Sequence, residues 1–128
     1  MATTEIPFER KFCRKLRGLH PDLYVMKNDA SLIQGFPDRV VYFHDKYAIL
    51  EFKRSENASH RPNQDWYVNH FAKYTYSSFV YPENADKVFR ESCWFVVIVD
   101  VNVNVFRKFE NFSKVWVLLQ TCNVLKCI

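Results

Sequence analysis

The sequence predicts an α/β or α+β domain with a central mixed sheet and the element order α-β-β-β-α-β. Three observations predict it. Phe8, Phe12, Leu16 and Leu19 recur at spacings of four and three, which gives an opening helix with one apolar stripe. Two β-rich runs then flank a short polar centre. After a second helical stretch comes the strongest strand signal, Trp94 to Asp100.

Pro7 suits the first turn of the opening helix, with Thr3, Thr4 or Glu5 as its cap. Gly18 and the His20-Pro21-Asp22 run end it. Leu23 to Met26 forms a short first strand, and Lys27 to Gln34 is a polar connection. Arg39 to Phe43 and Ala48 to Phe52 make a hairpin around His44 to Tyr47. Ser55 to Asn63 is polar and closes on Arg61-Pro62, a helix start. Gln64 to Tyr76 follows as a helix whose Trp66, Phe71 and Tyr74 are spaced by polar residues, as core positions are. Val88 to Glu91 makes a short helix. Beyond Asp100, a strand through Val103, Val105 and Phe106 is expected, and Val115 to Leu119 reads as strand or helix.

The 128 residues suffice for one domain, 1–128, and no internal repeat is visible. Hydrophobic residues make up 48% and glycines number two, which excludes a disordered tail or a collagen-like chain. The longest uncharged apolar run, Cys93 to Val99, is far short of a membrane span. Residues 1–5 lack the order of a secretory signal. The expectation is a soluble, intracellular, cytoplasmic protein with no membrane partner.

The net charge of +4 permits a polyanionic partner without demanding one. Cys13, Cys93, Cys122 and Cys127 form no CxxC pair and read as small buried hydrophobes. His20, His44, His60 and His70 share no metal-ligand spacing with them.

The informative segment is Gly35-Phe36-Pro37-Asp38-Arg39 followed by Glu51-Phe52-Lys53. A turn centred between Asp45 and Lys46 sets Asp38 opposite Lys53 and Val40 opposite Glu51. Side chains alternate along strands, so Asp38, Glu51 and Lys53 share one face. Asp38 and Glu51 then become diagonal neighbours about 7–8 Å apart at the backbone. Burying those charges is costly unless they meet one another or a metal. Two carboxylates, joined by the Phe52 backbone carbonyl, suit Mg²⁺ or Mn²⁺. Such an ion lowers the pKa of a bound water and offsets charge on a phosphodiester, and Lys53 stands where it can position the attacking water. Gly35 marks the turn into the strand, and Pro37 fixes the entry of Asp38.

Gly35-Phe-Pro-Asp38, twelve intervening residues, then Glu51-Phe-Lys53 resembles the active-site signature of the PD-(D/E)XK nuclease superfamily. The branch it resembles most is the VRR-type nucleases and related phage and resolvase-like endonucleases. The resemblance implies a restriction-endonuclease-like core, a metal-dependent DNA endonuclease activity and a 5′-phosphate product. It also implies an acid on the first helix, which Glu9 matches best and Glu5 second, acting on the metal through water. A lysine in the strand before the motif is matched by Lys27, and a glutamine on the next helix by Gln64. The likeness covers Glu9 to about Phe71. A phage or other mobile-element source, acting in a host cytoplasm, fits by analogy, as do roles in DNA recombination or repair.

Each residue has a plainer alternative. Asp38 alone would be a turn aspartate, and Glu51 with Lys53 a solvated strand face. Glu9 lies among Arg10, Lys11 and Arg14, where surface pairing is the default. Arg54, His60 and Arg61 are solvated loop charges or contacts to the DNA backbone beside the metal. Trp66, Tyr67, Tyr74 and Tyr76 suit base stacking, but their spacing favours the core. The chain's size favours recognition of DNA structure (branches, flaps or single strands) over a long sequence. Cutting both strands needs a homodimer or two encounters. The rival expectations are a non-catalytic nucleic-acid-binding module, an RNA-processing nuclease, and an interaction protein with a polar core network.

Overall fold

A computed structural model describes residues 6–29, 31–93 and 95. The described chain is α+β, with a four-stranded mixed sheet between helices. Helix α1 (Pro7–Arg17) has Pro7 in its first turn and Ile6 as an N-cap without a side-chain bond. Its Phe12, Cys13 and Leu16 are buried, as the spacing requires. Strand β1 (Leu23–Lys27) pairs antiparallel with β2 (Arg39–Phe43), and β2 with β3 (Lys46–Phe52). Helix α2 (Gln64–Phe71) then crosses over to β4 (Tyr76–Val80), which runs parallel to β3. Helix α3 (Ala85–Cys93) closes the described chain, with Phe95 packed on the core.

Alternation along the strands divides the two faces. Val41 and Phe43 of β2, and Ala48, Leu50 and Phe52 of β3, join α1 and α3 in one hydrophobic cluster. Each fully buried Leu or Phe there contributes roughly 2 kcal/mol. Phe12 anchors it, its ring edge-on to both Phe52 and Phe89 at 5.5 Å. Ile49 and Glu51 point to the opposite face, where Gln64 of α2 meets Glu51. The sheet therefore separates an α1/α3 layer from an α2 layer.

Several expectations change. The hairpin closes on His44 and Asp45 alone, with His44 at φ 53°, and Phe43 pairs with Lys46. A two-residue turn matches the strand twist only with a positive φ, and His44 supplies it. The ladder sets Arg39 opposite Leu50, so its continuation places Asp38 opposite Glu51 rather than Lys53. The second helix stops at Phe71, and Tyr76 begins a strand instead of ending a helix. The sixth element is thus Tyr76–Val80, where the sequence had suggested Trp94 to Asp100. Helix α3 is longer at both ends than Val88 to Glu91.

Trp66 and Tyr74 are 58% and 68% exposed, so they are surface residues and not core. The reason is rotational: Gln64 and Val68, four apart, take the inward face of α2 and turn Trp66 outward. Apart from Phe95, the expected strand Trp94 to Asp100 lies outside the described residues. So do the segments through Val103 to Phe106 and Val115 to Leu119, and also Thr3, Thr4, Glu5, Cys122 and Cys127. Cys13 and Cys93 are free and buried. No helix among the described residues is long and apolar enough to cross a membrane.

Candidate active site

The site forms where the β2–β3 ladder runs out. Continued by two residues, the ladder would set Pro37 opposite Phe52. Proline has no N–H to give, so the ladder stops there. The Phe52 N–H is taken instead by the Asp38 carboxylate, donating to Oδ2 at 3.0 Å. Asp38 in turn donates its backbone N–H to Glu51 Oε2 at 2.9 Å. The two acids are thus laced together by backbone donors, and Pro37 cannot fill the Phe52 carbonyl.

Asn28, which sequence reasoning passed over, holds the entry to this corner. Its side-chain Nδ2 donates to the Pro37 carbonyl and its backbone N–H to the Asp38 carbonyl, each at 2.8 Å. Gly35, at φ 81°, lets the preceding loop lie against Pro62 and Asn63 at the head of α2.

Glu51 is 2% exposed. Burial, and after it the charge of Asp38, push its pKa from 4.5 up to about 8; Lys53 and the Asp38 N–H pull the other way. Lys53 and Gln64 are 8% and 7% exposed. Gln64 Nε2 donates to Glu51 Oε1 at 2.5 Å, and Gln64 Oε1 accepts from Lys53 Nζ and from the Arg61 N–H. Lys53 Nζ also donates to the Ser59 carbonyl at 3.3 Å and lies 3.9 Å from Glu51 Oε1. Among the described residues no buried side-chain nitrogen or oxygen lacks a partner.

The structure brings Asp38, Glu51, Lys53 and Gln64 together, and places Glu9 elsewhere. Glu9 is buried on α1 and accepts from Arg39 Nε at 2.9 Å. Arg39 alternates with Val41 and Phe43, so this ion pair lies on the α1 face of the sheet, opposite Glu51. Lys27 pairs with Arg39 across the β1–β2 ladder, is exposed, and shares that side. Arg54, His60 and Arg61 lie on the exposed loop between β3 and α2. His60 is joined there by Asp65 and Phe79, for which the sequence gave no signal.

Among the described residues no three His, Cys, Asp and Glu side chains are grouped to hold an ion. What the site offers a cation is two facing carboxylates and the Phe52 carbonyl. That set fits Mg²⁺ or Mn²⁺, which take few protein ligands and complete their shell with water and phosphate oxygens. The raised pKa of Glu51, due to burial first and to Asp38 second, is compatible with such a set, since a nearby cation favours the ionised carboxylate. Compared with protein-family models, curated proteins and solved structures, the chain matches none. The functional reading therefore stands on these side chains.

Proposed function

We propose that this protein is a metal-dependent DNA endonuclease with a PD-(D/E)XK-like core. The observation that supports it best is the facing of Asp38 and Glu51 at a ladder end, with Glu51 tied to Lys53 through Gln64. Asp38, Glu51 and the Phe52 carbonyl would hold Mg²⁺ or Mn²⁺. When bound, the ion supplies an acidified water and charge compensation for the phosphodiester.

The chain's own groups do the rest. Lys53 Nζ, fixed by Gln64 and the Ser59 carbonyl, presents its positive charge beside Glu51 and orients the water on that side. Gln64 holds Lys53 and Glu51 in one geometry. Arg54 and Arg61 neutralise flanking phosphates. Exposed aromatic rings on the α2 layer favour substrates with unpaired bases. The test is a gel assay with Mg²⁺, Mn²⁺ or EDTA on matched single-stranded, duplex and branched DNA, with the corresponding RNA. Metal-dependent cutting lost in Glu51→Ala supports the reading, and an unchanged product pattern in that variant overturns it.

One observation favours a second reading. Every buried polar side chain among the described residues is already satisfied, which also suits a nucleic-acid-binding module without turnover. Under that reading Asp38→Asn leaves binding intact and no metal-dependent cutting exists to lose.

A further inference from the structure

We propose that His60 is a phosphate-contacting residue of this site, with Asp65 and Phe79 as the residues that position it. The proposal rests on the nuclease reading for the identity of the ligand, and on the following geometry for the residue.

His60 is bracketed by the site. The residue before it, Ser59, gives its carbonyl to Lys53 Nζ at 3.3 Å, and the residue after it, Arg61, gives its N–H to Gln64 Oε1 at 2.7 Å. Its backbone is therefore pinned to the two groups that organise Glu51. Its ring lies on Phe79, with centroids 4.2 Å apart and planes 22° from parallel. Phe79 is the partner of Glu51 across β3 and β4, so both side chains leave the same face from neighbouring strands, about 5 Å apart. The imidazole thus stacks on a residue that neighbours Glu51 in the sheet.

The ring is also fixed in rotation. Nδ1 lies 2.7 Å from Asp65 Oδ1 on the first turn of α2 and donates to it. That bond uses Nδ1 and leaves Nε2 without a hydrogen-bond partner among the described residues. A loop histidine with no task keeps its rotamer freedom, and ordering it has an entropic cost. Here a strand, a helix and both backbone neighbours restrain one side chain, which is preorganisation around a single open nitrogen.

The open nitrogen does not complete a metal site, because among the described residues no third His, Cys, Asp or Glu joins the acid pair. Its surroundings select an anion. Arg54 and Arg61 are exposed on the same loop, and Asp65 accepts from Nδ1. When both ring nitrogens carry hydrogen, Nε2 donates a charge-assisted hydrogen bond to a phosphodiester oxygen next to the one being cut.

The experiment compares the wild type with His60→Ala, Asp65→Ala and Asp65→Asn. Oligonucleotide affinity is measured by fluorescence anisotropy in Ca²⁺ over a range of salt, and cleavage in Mg²⁺. His60→Ala is expected to weaken binding about tenfold and raise KM more than it lowers kcat. Its affinity also falls less steeply with salt, by about one phosphate contact, a readout that a structural role would not move. Asp65→Ala gives part of the same loss, and Asp65→Asn, which keeps an acceptor for Nδ1, recovers it. Wild-type cleavage with unchanged affinity, KM and salt slope in His60→Ala overturns the proposal and leaves the nuclease reading standing. His60-dependent binding without any wild-type cleavage overturns the nuclease reading and keeps the contact. Absence of both binding and cleavage overturns both.

Discussion

The side-chain amide of Gln64 is bonded to the buried carboxylate of Glu51, Nε2 donating to Oε1 at 2.5 Å. Because the other end of the amide accepts from Lys53, one neutral group joins an acid and a base that stand 3.9 Å apart. Gln64→Ala removes both bonds and leaves both buried groups short of a partner. The expected cost is about 2–3 kcal/mol in urea unfolding, with a fall in cleavage rate of at least tenfold.

Glu51 carries a pH signature. Its pKa is raised to about 8 in the folded chain, by burial first and by Asp38 second, from 4.5 when exposed. Between those values the folded protein holds a proton that the unfolded chain has released. The contribution of Glu51 is therefore fully present below about pH 4.5 and is lost as pH rises to about 8, by on the order of 1 kcal/mol per pH unit at most. Thermal unfolding from pH 5 to 9 should show this fall in the wild type and not in Glu51→Gln. Added Mg²⁺ should flatten it at the alkaline end, since the ion favours the ionised carboxylate.

Asp38→Asn separates chemistry from folding. The amide keeps an acceptor for the Phe52 N–H, and its own backbone N–H still reaches Glu51. Stability should change by less than about 1 kcal/mol, while cleavage falls by roughly 10³-fold. Loss of a carboxylate neighbour should also move the Glu51 transition toward lower pH, visible in the same unfolding series.

A methyl group at Gly35 would overlap the Pro62 carbonyl oxygen and come within 2.8 Å of the Asn63 Cβ, at a φ of 81°. Gly35→Ala should therefore destabilise by about 1–3 kcal/mol and displace the start of α2, with Gln64 on it. Gly18→Ala is the control. Gly18 has φ −74° and its nearest neighbours lie at 3.5 Å and beyond, so that substitution should be neutral or mildly stabilising.

The Glu9–Arg39 pair is buried on both sides, at 5% and 4% exposure. Glu9→Ala takes the carboxylate away from a buried guanidinium and should cost several kcal/mol, on the order of 3, in equilibrium unfolding. With the carboxylate on the α1 side of the sheet, the Mg²⁺ affinity of the folded fraction, measured by calorimetry, should stay within about twofold.

Much of the site was legible because strand alternation survives an error in the turn. Placing the turn one residue late slides the ladder by two, which keeps Asp38, Glu51 and Lys53 on one face and misassigns only who faces whom. What exposed the error is His44 in a left-handed conformation, which its residue type does not announce. Strand β4 was hidden because Ser77 and Ser78 interrupt its apolar pattern, while Trp66, Phe71 and Tyr74 carried a helical spacing past the true end of α2. The Glu9–Arg39, Asn28–Pro37 and His60–Asp65 contacts were invisible for a different reason. Each joins polar groups of ordinary type whose meeting depends on the folded topology.

On strand β3, alternate residues answer to different demands. Ala48, Leu50 and Phe52 belong to the hydrophobic cluster, while Ile49 and Glu51, with Lys53 just beyond the strand end, belong to the α2 side. Point changes can therefore drift separately in the two sets, so the carboxylate side can change without eroding the hydrophobic cluster. A single-residue insertion or deletion cannot be confined in that way. It exchanges the two sets wholesale, sending a carboxylate into the hydrocarbon layer and a phenyl ring into the carboxylate corner. For this strand, tolerance to substitution and intolerance to length change have the same origin.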